Sequence, residues 1–338
     1  MSVKKTDAVI ENNNLNNKIL GRLQQGVVGY FKKYGGILIG FITMCVALSI
    51  LSPVFLTTSN ILNVLRQIST NAILAFGMTF AIIICGIDLS VGSVLALSGT
   101  LSAGLITLSG VPTPIAVLIG LALGTLIGLL NGVIIAKTGL PAFIVTLCTM
   151  LMARGAAYVY TDGMPVRTIE ESFNFIGNGY LGPIPLPIIY MAAFFIFTSI
   201  LLNKTKFGRH VYAVGGNVDA AKFSGINIQK IQIGVFTLLG FSSAFVGIVL
   251  CARMYSGQPT VGQGFEMDAI AASVLGGTSM SGGIGTIGGT MIGALIIGVL
   301  NNGLNILNIS AFWQSIIKGA VILTAVYVDS VKKRKDVK

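Results

Sequence analysis

The sequence predicts an all-α fold, a polytopic bundle of about ten transmembrane helices with both termini cytoplasmic. Three observations predict it. Apolar residues make up 54% of the 338 and charged residues 10%, against about 25% charged in soluble domains. Two runs contain no Asp, Glu, Lys or Arg: the 48 residues from Leu89 to Ala136 and the 49 from Ala269 to Ile317. As one helix either run would extend roughly 70 Å, while a bilayer core is about 30 Å thick, so each must fold back and cross twice. Finally, sixteen of the twenty-two Lys and Arg gather in three places: residues 1–33, the segment 204–230, and the tail from Val331.

Taken in order, the expected spans are roughly 35–53, 70–87, 90–110, 113–136, 140–160, 187–203, 231–251, 269–285, 287–308 and 312–329. The nine prolines fall at their edges or in loops, where a fixed φ and a missing N–H cost least. Pro53 closes the first span, Pro141 opens the fifth, and Pro183, Pro185 and Pro187 precede the sixth. The loop 161–180 holds Arg167 against Asp162, Glu170 and Glu171. By the bias of positive residues toward the cytoplasm it is expected outside, with both tails and 204–230 inside. The expected organisation is a basic tail over 1–33, a membrane domain over 34–330 and a second basic tail over 331–338. Gly276-Gly277-Thr278-Ser279-Met280-Ser281-Gly282-Gly283 interrupts the eighth and ninth spans. A re-entrant or broken helix there would need to be surrounded by protein.

The net charge of +11 follows this membrane sidedness and implies no nucleic-acid partner. Cys45, Cys85, Cys148 and Cys251 lie in apolar segments without paired spacing, so neither disulfides nor a metal site is expected. Gly120, Gly124, Gly128 and Gly132 form a stripe on the fourth span, suited to close helix packing within the subunit or between subunits.

The charged island 204–230 carries its own helix signals. Asn217 can N-cap a helix, Asp219 falls in its first turn, Lys222 near its last, and Gly225 can end it. Such a helix would hold about seven residues, too few to stand alone in water. It needs a surface, which points to docking with a soluble partner.

Asp88, followed by Ser90, interrupts two apolar spans. An intramembrane carboxylate has either a chemical use, such as proton coupling, or a structural one, capping the next helix. A proton relay would want further titratable neighbours, which favours the cap or a place along a pathway. Gln67, Asn71, Asn301, Asn302 and Asn305 are the other polar pathway candidates. Their amides donate and accept, and serve hydroxyl-rich ligands or interhelical bonds equally well. Arg253, Glu266 and Asp268 flank a loop expected outside, as a docking surface or as ordinary solvated charge. Lys318 reads as an interfacial side chain reaching for water.

Enzymatic constellations are missing. His210 is the sole histidine and no Gly-Lys pair occurs, which removes histidine triads and the phosphate-binding loop. Catalytic residues and a resident cofactor are not expected.

Several motifs together resemble one family. They are Gly77-Met78-Thr79, Gly86-Ile87-Asp88-Leu89-Ser90-Val91-Gly92-Ser93, the 208–227 loop, Glu266-Met267-Asp268-Ala269-Ile270-Ala271-Ala272, Gly276-Gly277-Thr278-Ser279 and Asn301-Asn302-Gly303-Leu304-Asn305. In this order they resemble the permeases of bacterial ATP-binding-cassette importers for monosaccharides of the ribose, xylose, galactose and arabinose type. The likeness covers residues 35–330. Gly225-Ile226-Asn227-Ile228-Gln229-Lys230 and Ser256-Gly257-Gln258-Pro259-Thr260 are most similar to ribose members.

The resemblance implies a multi-pass subunit of the bacterial cytoplasmic (inner) membrane, in contact with lipid and paired with a second permease copy. A cytoplasmic ATPase would use ATP and Mg2+, and an extracytoplasmic sugar-binding protein would deliver the ligand. It also implies that Arg209, Asn217, Asp219, Ala220, Ala221 and Gly225 form the loop coupled to the ATPase. The competing readings are a permease for another sugar or sugar-derived signal, a proton-coupled carrier using Asp88, and a membrane scaffold without transport.

Overall fold

The computed structural model describes residue 35 and residues 38–336. The expected tail 1–33, and residues 337 and 338 of the other tail, lie outside the described residues. The chain divides into two compact units, Met1–Val46 and Ala47–Lys338. The described part of the first is the start of the apolar helix α1 (Leu38–Leu51).

The second unit continues with α2 (Thr58–Ile83), α3 (Val91–Thr107), α4 (Thr113–Thr138) and α5 (Ala142–Thr161). A small motif follows: β1 (Val166–Arg167), α6 (Glu171–Asn178), β2 (Tyr180–Leu181) and β3 (Ile184–Pro185). Then come α7 (Leu186–Lys204), α8 (Lys206–Gly216), α9 (Val218–Phe223), α10 (Ile228–Arg253), β4 (Ser256–Gly257), α11 (Phe265–Leu275), α12 (Ile287–Ile306) and α13 (Ala311–Asp336). Among the described residues α4, α5, α7, α10 and α12 are long and apolar enough to cross a membrane, and α1 and α3 are shorter apolar helices.

Central α10 packs along α4, α3 and α2. The glycine stripe of α4 is what lets it approach. Gly128 and Gly132 lie against the α10 backbone at Phe236 and Ile233, and Gly124 against Ala244. Any Cβ there would press on main chain, so these glycines pack within the subunit. By contrast α4, α5 and α7 leave apolar faces exposed, with Leu118, Leu151 and Ile196 among them.

The helices stop where local chemistry stops them. At the end of α9 Gly225 takes φ +77°, its N–H donates to Lys222 O, and Ile226 N–H donates to Ala221 O, both at 3.0 Å. This is the double bond of a Schellman ending. The same ending closes α11 at Gly277 and α12 at Asn308. At the end of α2 the left-handed position falls on Cys85, φ +59°, with Gly86 N–H donating to Ala81 O at 2.8 Å. Glycine stands one residue too late to relieve it.

Four expectations are corrected. The second span begins at Thr58, not near 70. Its polar first half, with Asn60, Asn63, Arg66 and Gln67, reads as a loop until partners from elsewhere in the fold pair with it. The 204–230 island holds two helices, because Asn217 ends α8 as well as starting α9. The fold is helical but not purely so: β1 pairs antiparallel with β4, and β2 with β3.

Last, the eighth span is not one helix over 269–285. Helix α11 has 11 residues, or roughly 16 Å, half a bilayer core. The 254–264 stretch before it is non-helical. It runs back along α3, with Gly257 against Thr100 and Ala103, then Gly262 against Leu95 and Gly92.

Candidate functional site

Two non-helical segments, 84–90 and 254–264, penetrate the second unit. They meet where Gly92, at the start of α3, lies against the carbonyl of Gly262 with no room for a side chain on either. Unwound backbone inside such a bundle must find partners in protein.

For 254–264 the partner is Arg154, half-buried on α5. Its guanidinium donates to Pro259 O, to Val261 O at 2.8 Å and to Gly92 O at 3.1 Å. One planar fork thus ties both breaks together, a task suited to arginine's fixed set of donors. Glu266 stands over Gly92 within Coulombic reach of Arg154 and accepts from Gly264 N–H at 3.2 Å. Sequence reasoning misses Arg154, although an arginine inside an expected span is a signal in itself.

For 84–90 the partners come from α4 and α5. Asp88 is buried, and its Oδ1 accepts from Ser90 N–H at 2.7 Å and from the Ser90 hydroxyl at 2.6 Å. Behind it the Thr149 hydroxyl donates to Asn131 Oδ1 at 2.6 Å, and Asn131 Nδ2 donates to Ser90 Oγ at 3.3 Å. The chain of donors terminates on Asp88, whose carboxylate starts the turn into α3.

The other buried carboxylate among the described residues is Asp268, in the first turn of α11. The sequence pattern puts it with Arg253 and Glu266 on an exposed loop, as a docking surface or as solvated charge, but it is 4% exposed. Its Oδ2 accepts from Asn301 Nδ2 at 3.2 Å and Asn71 Nδ2 at 3.4 Å. The same oxygen pairs with Lys318 Nζ at 3.2 Å. The descent of 254–264 carries Asp268 inward, which the linear pattern of loop charge did not convey. Lys318 is therefore an ion-pair partner, where a water-seeking side chain was expected.

The other amides separate from this cluster. Asn302 and Asn60 exchange both bonds, at 2.9 and 3.2 Å, and clasp α12 to α2. Asn305 is exposed and accepts from Gln314 Nε2 at 2.8 Å. Gln67 is half-buried one turn before Asn71 on α2.

Replacing Lys318 with Met should leave the Asp268 charge buried without its counter-ion. Losing one partner of a buried pair costs about 3–5 kcal/mol, and partial exposure of Lys318 places this at the low end. Thermal unfolding in detergent should show the loss. A Lys318→Met, Asp268→Asn double variant should recover most of it.

At the α8 end, the island forms a continuous face. Arg209, Asn217, Asp219, Ala220 and Gly225 are exposed, whereas Ala221 is buried and seats α9 on its own chain. Asn217 Oδ1 accepts from Ala220 N–H at 2.9 Å. Phe223 stands 91% exposed at the tip. Beneath the face, α8 rests on both the α2 terminus and the 276–286 turn: Gly215 is in close contact with Ile83 O, and Tyr212 Oη donates to Gly285 O at 2.7 Å.

At the opposite end, an open cavity of about 970 Å³ lies between α6, β1 and β4, lined by Arg167, Glu171, Asn174, Tyr255 and Gln258 among others. Arg253 is half-buried beside it, its carbonyl accepting from Asn178 Nδ2 at 3.4 Å.

Comparison with known proteins gives one family and several close relatives. Residues 60–326 match the model described as "Branched-chain amino acid transport system / permease component". The chain is 49% identical over 306 residues to the ribose import permease protein RbsC of Bacillus subtilis (strain 168), covering 90% of this chain and 94% of that one. It is 49% identical over 296 residues to the corresponding protein of Haemophilus influenzae (strain ATCC 51907 / DSM 11121 / KW20 / Rd), covering 86% and 91%. Identity to the xylose transport system permease protein XylH of the same strain is 37% over 342 residues, covering 83% and 91%. No solved structure gives a significant match.

Proposed function

Because this chain belongs to the branched-chain amino acid transport system / permease component family, we propose that it is the membrane subunit of a bacterial ATP-binding-cassette importer for ribose. The chain is a multi-pass transporter subunit rather than an enzyme. The observation that carries the ribose reading is the near full-length similarity to ribose permeases, at 49% identity against 37% for a xylose permease.

The fold supports ten crossings: α1 to α5, α7, α10, the 254–264 stretch with α11, α12 and α13. Lysine and arginine then place the α8 end and both termini in the cytoplasm. On this topology the face of Arg209, Asn217, Asp219, Ala220, Ala221 and Gly225 meets a cytoplasmic ATPase. That ATPase binds ATP and Mg2+, and this chain binds no cofactor. The cavity beside Arg253 receives the lobes of a sugar-binding protein. A second copy of the permease completes the pathway.

The geometry supplies a route for the stroke. Movement of α9 shifts α8, and α8 is wedged by Gly215 and Tyr212 against the α2 terminus and the 276–286 turn. The 84–90 break begins directly after Ile83, and the 254–264 break lies at the end of α11 away from the 276–286 turn, so a shift at the cytoplasmic end changes the opening between them.

Uptake of labelled ribose by cells lacking the chain, with and without complementation, tests the reading. Uptake should disappear, return on complementation, and be abolished by vanadate. Uptake that survives vanadate but not a protonophore would overturn it. Asp88→Asn keeps an oxygen for both Ser90 bonds and should retain ribose uptake within about twofold, whereas Asp88→Leu strands a buried N–H at about 1–3 kcal/mol.

A further inference from the structure

The cluster around Asp268 has a feature that an ion pair alone does not account for. A carboxylate can only accept, so Asn71 and Asn301 must each turn their NH2 toward Asp268 Oδ2, and their bond partners fix both amide orientations. The two amide oxygens are thereby committed to face away from it. Both Asn71 Oδ1 and Asn301 Oδ1 are buried without a hydrogen-bond partner, on side chains of residues 5% and 4% exposed. Buried acceptors left this way are expensive and call for a donor.

A cavity of about 520 Å³ between α11 and α13 reaches Asp268 and Lys318, with Gln263, Met267, Ser315 and Gly319 also in its wall; Asn71 and Asn301 connect to it through Asp268 Oδ2, to which both donate. Its size lies within the range of small-ligand sites, about 300–1,000 Å³. The Lys318 pair neutralises Asp268, so the cavity carries no net charge from this pair and favours an uncharged guest. Asn71 stands midway along α2, and α11 is the short helix following a break. Transporters place substrate at that depth and next to such discontinuities.

From these observations we infer that Asp268, Asn71 and Asn301 form a subsite for a neutral polyol. Vicinal hydroxyls donate to the two free amide oxygens and to the carboxylate, and Lys318 stands against Asp268 when the subsite is empty. This assignment rests on the sugar-import reading and names where the sugar pauses within the permease.

The test uses the assembled importer in membrane vesicles, with the four native cysteines replaced by alanine and a reporter introduced as Ser315→Cys. Reaction of the reporter with a small methanethiosulfonate reagent is followed with ribose or with choline chloride. The expected result is protection by ribose and none by choline. Asn71→Leu and Asn301→Leu should each weaken ribose protection by roughly two- to thirteenfold, the effect of one hydrogen bond. Labelling without sugar reports whether the cavity is still formed in each variant. Asn60→Leu breaks an interhelical amide pair whose oxygens are already satisfied, and should leave protection intact.

Equal protection by choline makes this a cation site and overturns the inference. So does ribose protection that ignores both asparagine variants, which means that ordered water satisfies the amides. A reporter that never reacts shows a cavity closed to solutes and overturns the inference as well. Ribose uptake by the unmodified chain is measured alongside. Its absence would strike the import reading, whereas uptake without protection strikes the subsite alone.

Discussion

Replacing Arg154 with Met is expected to abolish ribose uptake, by well over about tenfold, while the chain still inserts in the membrane. The guanidinium satisfies three carbonyls, those of Pro259, Val261 and Gly92. Hydrogen bonds to a charged group contribute about 1.5–3 kcal/mol each, and carbonyls stranded in a bundle cost more than exposed ones. Even heavily discounted for non-additivity, the sum is a large share of the about 5–15 kcal/mol that holds a domain together. The damage should be local, since methionine fills the volume and α5 keeps its own backbone bonds. The 254–264 segment is what comes loose, and with it the approach of Gly262 to Gly92. Arg154→Lys should recover only part of the activity, because an ammonium cannot match the planar fork. Protease accessibility of 254–264, read beside uptake, checks the cause. Wild-type uptake with an unprotected loop would contradict the assignment.

A second large effect is expected at the opposite end. Phe223→Asp should leave expression and insertion unchanged and remove the ATPase from the purified complex. The side chain is 91% exposed, so the change costs this chain little by itself. On docking, a buried phenylalanine contributes about 1.5–3 kcal/mol, and an aspartate in its place adds an unpaired charge. Together these weaken the contact by at least about a hundredfold. Co-purification of the ATPase at wild-type yield, with wild-type uptake, would remove α9 from the coupling face. Leu substitution at the same position should be tolerated, which separates apolar contact from shape.

Both expectations draw on residues that the linear sequence treated unequally. The short helix of the island was legible because its signals are local: Asn217, Asp219, Lys222 and Gly225 act on backbone groups a few positions away. The broken eighth span was legible in part, from the glycines after Gly276. The break before it was not. Nothing in Tyr255 to Gly264 shows that the segment turns inward along α3, because the partner that holds it is Arg154, 105 and 107 residues away. The early start of α2 was hidden in the same way, since Asn60 is satisfied by Asn302 at a separation of 242 residues.

What the sequence by itself determined is the class of the molecule and the punctuation of its helices. Apolar runs far longer than a bilayer core, positive charge collected in three places, and capping residues at the right offsets are short-range properties. What only the tertiary structure decided is which polar groups lie inside. Asp268 reads as loop charge until Asn71, Asn301 and Lys318 converge on it from 197, 33 and 50 residues away. The free energy of burying a polar group depends on the partners it finds, and in this chain those partners come from segments that only folding brings together.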